Sequence, residues 1–416
     1  MKTYDLVIIG GGSAGLSAAI TAFDNGIHNI LIIERDQELG GILQQCIHNG
    51  FGLHTFNQEL SGPAYAEKYI NMIHTKKIPY ILNTMVLDIS ENKTILYSNT
   101  ISGYTKIQSR AIILAMGCYE RTAGAINLLG YRPKGIYNAG TAQKYLNING
   151  YLVGKKVFIL GSGDIGLIMA RRMTLEGAKV YGVCELMPYS NGLVRNIKQC
   201  LDDFNIPLYL SHTIIDVKGR HNLEEITIAQ VDEHKQVIEN TKKSFEVDTL
   251  LLSVGLIPEN SLSEKANILL DSKTKGAFVD ECYQTSIKGI FACGNVLHVH
   301  DLVDFVSAEG IKAGMGAVKY LQNKINNEQS IITYANTGIS YVLPQQINYN
   351  NIDKDIELMF RVKTVYKNVR IIIKKDHKVY KEIKKNVILP AEMEKITLNK
   401  SELMDIKESI SIEVVS

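Results

Sequence analysis

The feature that most narrows what this chain can fold into is a glycine pattern that occurs twice. Gly10-x-Gly12-x-x-Gly15 follows a short apolar run at residues 4–9, and Gly161-x-Gly163-x-x-Gly166 follows another that begins at Val157. The three glycines serve different ends: the first makes a tight turn, the second lets a pyrophosphate approach the backbone, and the third lets helix and strand pack closely. The helix that opens after such a turn offers unpaired N–H groups and a partial positive charge to phosphates. In both copies an acid, Glu34 or Glu185, lies nineteen residues beyond the last glycine, at the end of the next apolar run. A carboxylate there accepts hydrogen bonds from ribose hydroxyls. Strand, glycines, helix, strand and acid fall in order twice, which predicts two dinucleotide-binding units.

Other segments extend this plan. Residues 4–9 and 30–33 read as buried parallel strands, and residues 16–25 as a small apolar helix stopped by Gly26. Ala111–Gly117, Leu250–Gly255 and Gly289–Gly294 are further apolar runs ending in glycine, and residues 307–321 read as a helix. The fold class expected is α/β: two Rossmann-like domains, the second inserted in the first, plus a small C-terminal all-β domain. The expected boundaries are 1–119 with 254–328 for the first domain, 120–253 for the second and 329–416 for the β appendage. In that appendage, residues 361–385 carry ten basic and two acidic side chains. The wet face of strands explains this more simply than a docking face for an acidic partner subunit.

Composition excludes several classes. The formal charge is +2 on 416 residues, which argues against a nucleic-acid binder driven by bulk charge. No apolar run approaches the ~20 residues of a membrane-spanning helix. Asp5 and the early glycines mark the N-terminus as a strand, not a targeting segment. Six scattered cysteines with no C-x-x-C pair signal neither a zinc ribbon nor a redox pair, and fit a reducing cytoplasm. No metal site is expected. Glu185 would repel a 2′-phosphate, and Leu186, Met187 and Pro188 follow it instead of an arginine. NADH is therefore expected over NADPH.

On these motifs the chain resembles the two-dinucleotide-binding flavoproteins, the pyridine nucleotide-disulfide oxidoreductase superfamily, over about residues 4–322. The resemblance implies FAD at the first site and NAD(H) at the inserted second one. Ala115-Met116-Gly117 resembles the alanine-threonine-glycine motif, with Met116 in place of threonine, and Gly255–Asn260 resembles the glycine-proline-asparagine segment. Gly289–Asn295 resembles the late FAD motif, with Asn295 where the family has a ribityl-binding aspartate. An amide still bonds a ribityl hydroxyl. Carried over residue by residue, the FAD-binding set is Gly10, Gly12, Ser13, Ala14, Gly15, Glu34, Arg35, Gly41, Ile42, Val86, Ala115, Met116, Gly117, Gly294 and Asn295. The NAD(H) set is Gly161, Gly163, Asp164, Ile165, Gly166, Glu185 and Gly255.

The departures point further. After Gly40-Gly41 only Cys46 appears where family disulfide reductases carry two cysteines, the pair of thioredoxin reductases is missing from the second domain, and no His-Pro motif occurs. Gly40–Gly52, Glu120-Arg121-Thr122, His298–Asp304 and Val342–Gln345 resemble a narrower group of FAD/NAD-binding subunits. These accompany glycerol-3-phosphate dehydrogenases, opine and sarcosine-type oxidases and hydrogen cyanide synthase. The implied function is hydride transfer between NAD(H) and FAD, with a dehydrogenase or electron-transfer subunit as partner. His300, His48 and Asp301 are the candidate catalytic residues, since His298, His300 and Asp301 follow the late FAD motif where a helix N-terminus faces the flavin. Two alternatives stand beside this: an NADH oxidase or peroxidase working through Cys46, and a non-catalytic flavin-binding scaffold.

Overall fold

The computed structural model describes residues 1–326 and 330–415. The expected start of the β appendage at 329 therefore lies outside the described residues. The chain divides into two compact units, one of Met1–Gln44, Asn49–Cys118 and Pro258–Ser416, the other of Gln45–His48 and Tyr119–Ile257.

In the first unit the strands Lys2–Ile9, Ile30–Ile33, Tyr80–Ile81 and Ile290–Ala292 join the long strand Gly103–Leu114 in a seven-stranded sheet. Leu6 lies beside Ile30 on one side and Ala111 on the other, both pairings parallel. Ile30–Ile33 is buried at every position, as a strand covered on both faces must be. Two antiparallel strands, Met85–Ile89 and Thr94–Asn99, extend one side. The helix Ser13–Asp24 starts three residues before the expected position, because Gly12 in extended conformation serves as its N-cap and the glycine turn runs straight into it. The helix Val303–Leu321 starts four residues early as well. Asp304 in its first turn accepts from Gly52 N at 3.1 Å and Thr55 N at 2.8 Å, which anchors that end. The two helices pack through small residues. A Cβ on Gly310 would lie 2.3 Å from Ala14 O, and one on Gly314 2.7 Å from Ala18 O.

The C-terminal strands belong to this unit yet surround a second core, in which Leu358, Phe360, Ile371, Leu398 and Ile412 are buried. They form a five-stranded sheet and a three-stranded one. The alternating stretch expected over 360–373 is split between the strands Asp355–Val362 and Tyr366–Lys375. One four-residue helix, Lys400–Leu403, interrupts the β appendage.

The second unit holds a parallel sheet in the order Ile136–Asn138, Thr249–Leu252, Lys156–Leu160, Lys179–Glu185, Leu208–Leu210. The strand Lys156–Leu160, which feeds the second glycine turn, is central, so strand order reverses there. Ligands of open α/β sheets bind at such a point, beyond the carboxyl ends of the strands. A three-stranded antiparallel sheet, His212–Lys218, Glu225–Gln230 and Lys243–Glu246, completes this unit.

Candidate functional site: two glycine turns and a buried histidine–glutamate cluster

The first turn is built so that the backbone itself faces a ligand. Gly10 has φ +107°, and a Cβ there would lie 2.3 Å from Ala115 O. A Cβ on Gly15 would lie 1.9 Å from Gly10 O, so the helix can approach the strand only without one. A Cβ on Gly12 would meet nothing within 4 Å, and neither would one on Gly117. The space before Gly12 is open although the turn around it is closed. No side chain caps the helix Ser13–Asp24, so the N–H groups of its first turn stay available to an anion. Glu34 is buried and accepts from Gly11 N at 2.6 Å and Asp36 N at 2.8 Å, which holds the acid against the turn. Gly41 (φ +59°) brings its segment against Gly12. These residues fit the pyrophosphate and ribose of FAD.

The second turn repeats the design. A Cβ on Gly161 would lie 2.2 Å from Ser253 O, and one on Gly166 2.6 Å from Ser253 Cβ. Glu185 is buried and accepts from Ser162 N at 3.0 Å, Ser162 Oγ at 2.6 Å and Met187 N at 3.0 Å. No side chain caps the helix Asp164–Leu175. The Asp164 carboxylate is engaged elsewhere: it accepts from Leu193 N at 2.9 Å and Asn196 Nδ2 at 2.6 Å, fixing the loop after Glu185. Asp164 therefore shapes the site through that loop. Gly255 (φ +106°) lies after the strand Thr249–Leu252, and its carbonyl accepts from Arg121 N at 3.0 Å. A cavity of about 400 Å³ lies in this unit, lined by Thr122, Arg132, Tyr137, Asn138, Thr141 and Leu252 among others.

The late FAD motif leads into a cluster that the sequence did not announce. Glu309, on the helix Val303–Leu321, is buried and accepts from Gly294 N at 2.5 Å. His298 Nε2 lies 2.8 Å from Glu309 Oε1, and His300 Nε2 lies 3.0 Å from Glu309 Oε2. Burial by itself would push this carboxyl up, but the adjacent His300 and His298 overcome that and hold it well below the usual carboxylate range. An ionised carboxylate only accepts, so both imidazoles carry hydrogen on Nε2. Burial, then the neighbouring His300, pushes His298 down to about 4. The signal that could have found Glu309 is its position on the face that also buries Gly310 and Ala313, where a lone acid needs partners.

The other predicted residues fall into distinct roles. Asn295 Oδ1 accepts from His300 N at 3.0 Å, and its Nδ2 donates to Cys118 Sγ at 3.6 Å, so the amide also braces the turn. Asp301 does not stand ready as an acid or base: it pairs with Arg361 and accepts from Met393 N at 2.8 Å. Its carboxylate instead ties the C-terminal strands to the segment carrying the histidines. Gly41 and His300 belong to the first unit, whereas His48 and Cys46 group with the second. There Cys46 Sγ donates to Gln143 Oε1 at 3.8 Å, and burial pushes the thiol up to about 12. Burial, with the charges of Arg195 and Arg171, lowers His48 to about 4. Val86 lies in the core, Ala115 N donates to Ile9 O at 2.8 Å, Met116 packs on the core, and Ile42 and Arg35 are exposed. Arg361, Arg370, Lys374 and Lys385 of the basic strands each have an acidic partner.

The lowered imidazoles make an acid sensitivity. In the unfolded chain His298 binds a proton near pH ~6.5, and in the folded chain only near 4. Stability is therefore lost as the pH falls through that window, by on the order of 3 kcal/mol from His298. Asp280, raised to about 7 by burial and by Glu281, works in the opposite sense. As the pH is lowered from 7 to 4, the urea midpoint of the native chain will lose ground to that of His298→Gln, which keeps a donor for Glu309. Equal slopes in the two proteins would refute the assignment.

The model of the pyridine nucleotide-disulphide oxidoreductase family matches residues 4–319. Hydrogen cyanide synthase subunit HcnB of Pseudomonas protegens is 24% identical over 330 residues, 74% of this chain and 67% of that protein. Ferredoxin–NADP reductase of Picrophilus torridus is 24% identical over 343 residues, 79% of this chain and 97% of that one. Among solved structures, thioredoxin reductase of T. acidophilum superposes with a TM-score of 0.62 at 22% identity, over 77% of this chain and 99% of the other. Among the described residues no helix is long and apolar enough to cross a membrane. With both glycine turns and both acids in place, the chain belongs to the pyridine nucleotide-disulphide oxidoreductase family, whose members bind FAD and NAD(P)H and are oxidoreductases.

Proposed function

We propose that this chain passes a hydride between NAD(H) and FAD as one subunit of a hetero-oligomeric dehydrogenase, in the manner of a glycerol-3-phosphate dehydrogenase assembly. One observation carries the transfer: both glycine turns leave an uncapped helix N-terminus and pin a buried acid beside it. When bound, the flavin takes the hydride and releases the electrons onward. The chain's own part is to grip each pyrophosphate with backbone N–H groups and each adenosine ribose with Glu34 or Glu185. Glu185, buried and acceptor-only, favours a 2′-hydroxyl over a 2′-phosphate, so NADH is the working nucleotide.

The partner is proposed because, among the described residues, the cysteines offer no disulfide to receive the electrons. None of its six cysteines forms a disulfide. Cys46, with its thiol raised to about 12, is poorly suited to a peroxidase cycle. The similar HcnB is by its name a subunit of a larger enzyme. The absence of disulfides is consistent with a reducing compartment, and we place the chain in the cytoplasm on that ground.

The test is an anaerobic titration of the purified chain with NADH, followed by flavin absorbance. Stoichiometric bleaching is expected, with NADPH at least about tenfold slower because the 2′-phosphate meets Glu185. Bound flavin that NADH leaves oxidised would defeat the transfer. A native enzyme composed of this chain alone that oxidises a carbon substrate would defeat the partner.

A further inference from the structure

Three hydrogen-bond donors converge on Glu309, and each is consequential. Gly294 N belongs to the turn of the late FAD motif, and His298 and His300 bring their Nε2 atoms to the two carboxylate oxygens. The remaining ring nitrogens differ. His298 Nδ1 lies 3.4 Å from the Tyr341 hydroxyl. His300 Nδ1 is buried and finds no hydrogen-bond partner among the described residues, although the side chain is only 1% exposed. A buried ring nitrogen left this way is costly unless a ligand meets it. His300 is also held by its backbone, since its N donates to Asn295 Oδ1. One end of this contact, Asn295, closes the late FAD motif, and the other, His300, lies in the segment that follows it.

The same three side chains could be read as metal ligands. The contacts favour hydrogen bonding: each imidazole meets a different carboxylate oxygen at an ordinary N–H···O length, and a backbone N–H points at one of those oxygens. Arg361 bears on His298, and Glu309 bears on Tyr283, Cys293 and Tyr341, where Glu357 also acts on Tyr283 and Asp301 on Tyr341. Arg361 is matched by Asp301, and Glu357 by Lys312 and Lys395.

We propose that Glu309 is a positioning residue of the flavin site: by taking the Nε2 hydrogen of His300 it fixes the ring and reserves Nδ1 for the bound flavin. This rests on the reading of the first glycine turn as an FAD site. Two substitutions separate the ring's ends, because an asparagine amide occupies roughly the place of Nδ1 and a glutamine amide that of Nε2. His300→Gln keeps the contact with Glu309, so the flavin-free chain keeps its melting temperature while FAD affinity falls by about tenfold or more. His300→Asn loses the Glu309 contact and some stability, yet holds FAD within about threefold of the native chain. The histidine ¹⁵N spectrum of the native chain shows hydrogen on Nε2 of His300, and Glu309→Gln shifts it to a mixture of tautomers. FAD affinity unchanged in His300→Gln, an equal loss in both variants, or a metal bound stoichiometrically at this cluster would each overturn the proposal. FAD affinity and the tautomer are read without nicotinamide, so failure of NADH to bleach the flavin would count against the hydride-transfer reading and leave this one standing.

Discussion

Gly12→Val will leave the flavin-free chain folded and strip it of FAD. Gly12 has φ −80° and ψ −174°, a conformation open to any residue, and a Cβ there touches no atom of the protein within 4 Å. The flavin-free melting temperature should therefore move by no more than about 2 °C, as for a surface change. The added side chain would instead fill the space before the helix N-terminus, where a pyrophosphate must reach the N–H groups. Losing two charge-assisted hydrogen bonds there amounts to about 3 kcal/mol, or roughly a 100-fold weaker FAD complex. Gly15→Val is the opposite case. Its Cβ would lie 1.9 Å from Gly10 O, a backbone atom that cannot swing away. That clash should destabilise the unit by about 3 kcal/mol or more, with or without flavin. Calorimetry of the flavin-free proteins and fluorescence titration with FAD distinguish the two. Native FAD affinity in Gly12→Val would show that no pyrophosphate lies against this turn.

Arg361→Met will be among the most destabilising single changes in the C-terminal strands. The guanidinium pairs with Asp301 and also donates to Val299 O and Pro390 O, each at 3.0 Å. Its side chain is 15% exposed and that of Asp301 13%. Removing one member of such a buried pair leaves an uncompensated charge and costs about 3–5 kcal/mol. Adding Asp301→Asn should recover most of that loss, because the stranded charge is then gone. Arg370 provides the control: its pair with Glu382 is 45% exposed on both sides, and Arg370→Met should change stability by about 1 kcal/mol or less. Urea unfolding of the three variants beside the native chain measures these differences. If Arg361→Met proved as mild as Arg370→Met, the tie between the β appendage and the histidine segment would carry no weight.

What the sequence by itself determined is the pair of glycine turns, each with its buried acid. Their logic is local: Gly10, Gly12 and Gly15 lie within six residues, and Glu34 lies one strand further on. Backbone geometry at that range is dictated by the glycines themselves, so spacing was enough to find both turns and both acids. The strands were legible for the same reason, since Ile30–Ile33 has no polar position to offer water.

Tertiary structure decided the roles of the polar residues around them. Glu309 reaches Gly294 across fifteen residues, and Arg361 reaches Asp301 across sixty. Asp301 was expected to do chemistry because it follows the flavin motif, but a strand far along the chain brings the cation that occupies it. His48 and Gly41 are near neighbours in sequence, yet belong to different units. A side chain's chemistry depends on which charges and donors surround it in a desolvated interior, and those neighbours come from distant segments. Only the folded chain assembles them, which is why the cofactor turns could be read from spacing and the buried carboxylate that organises the histidines could not.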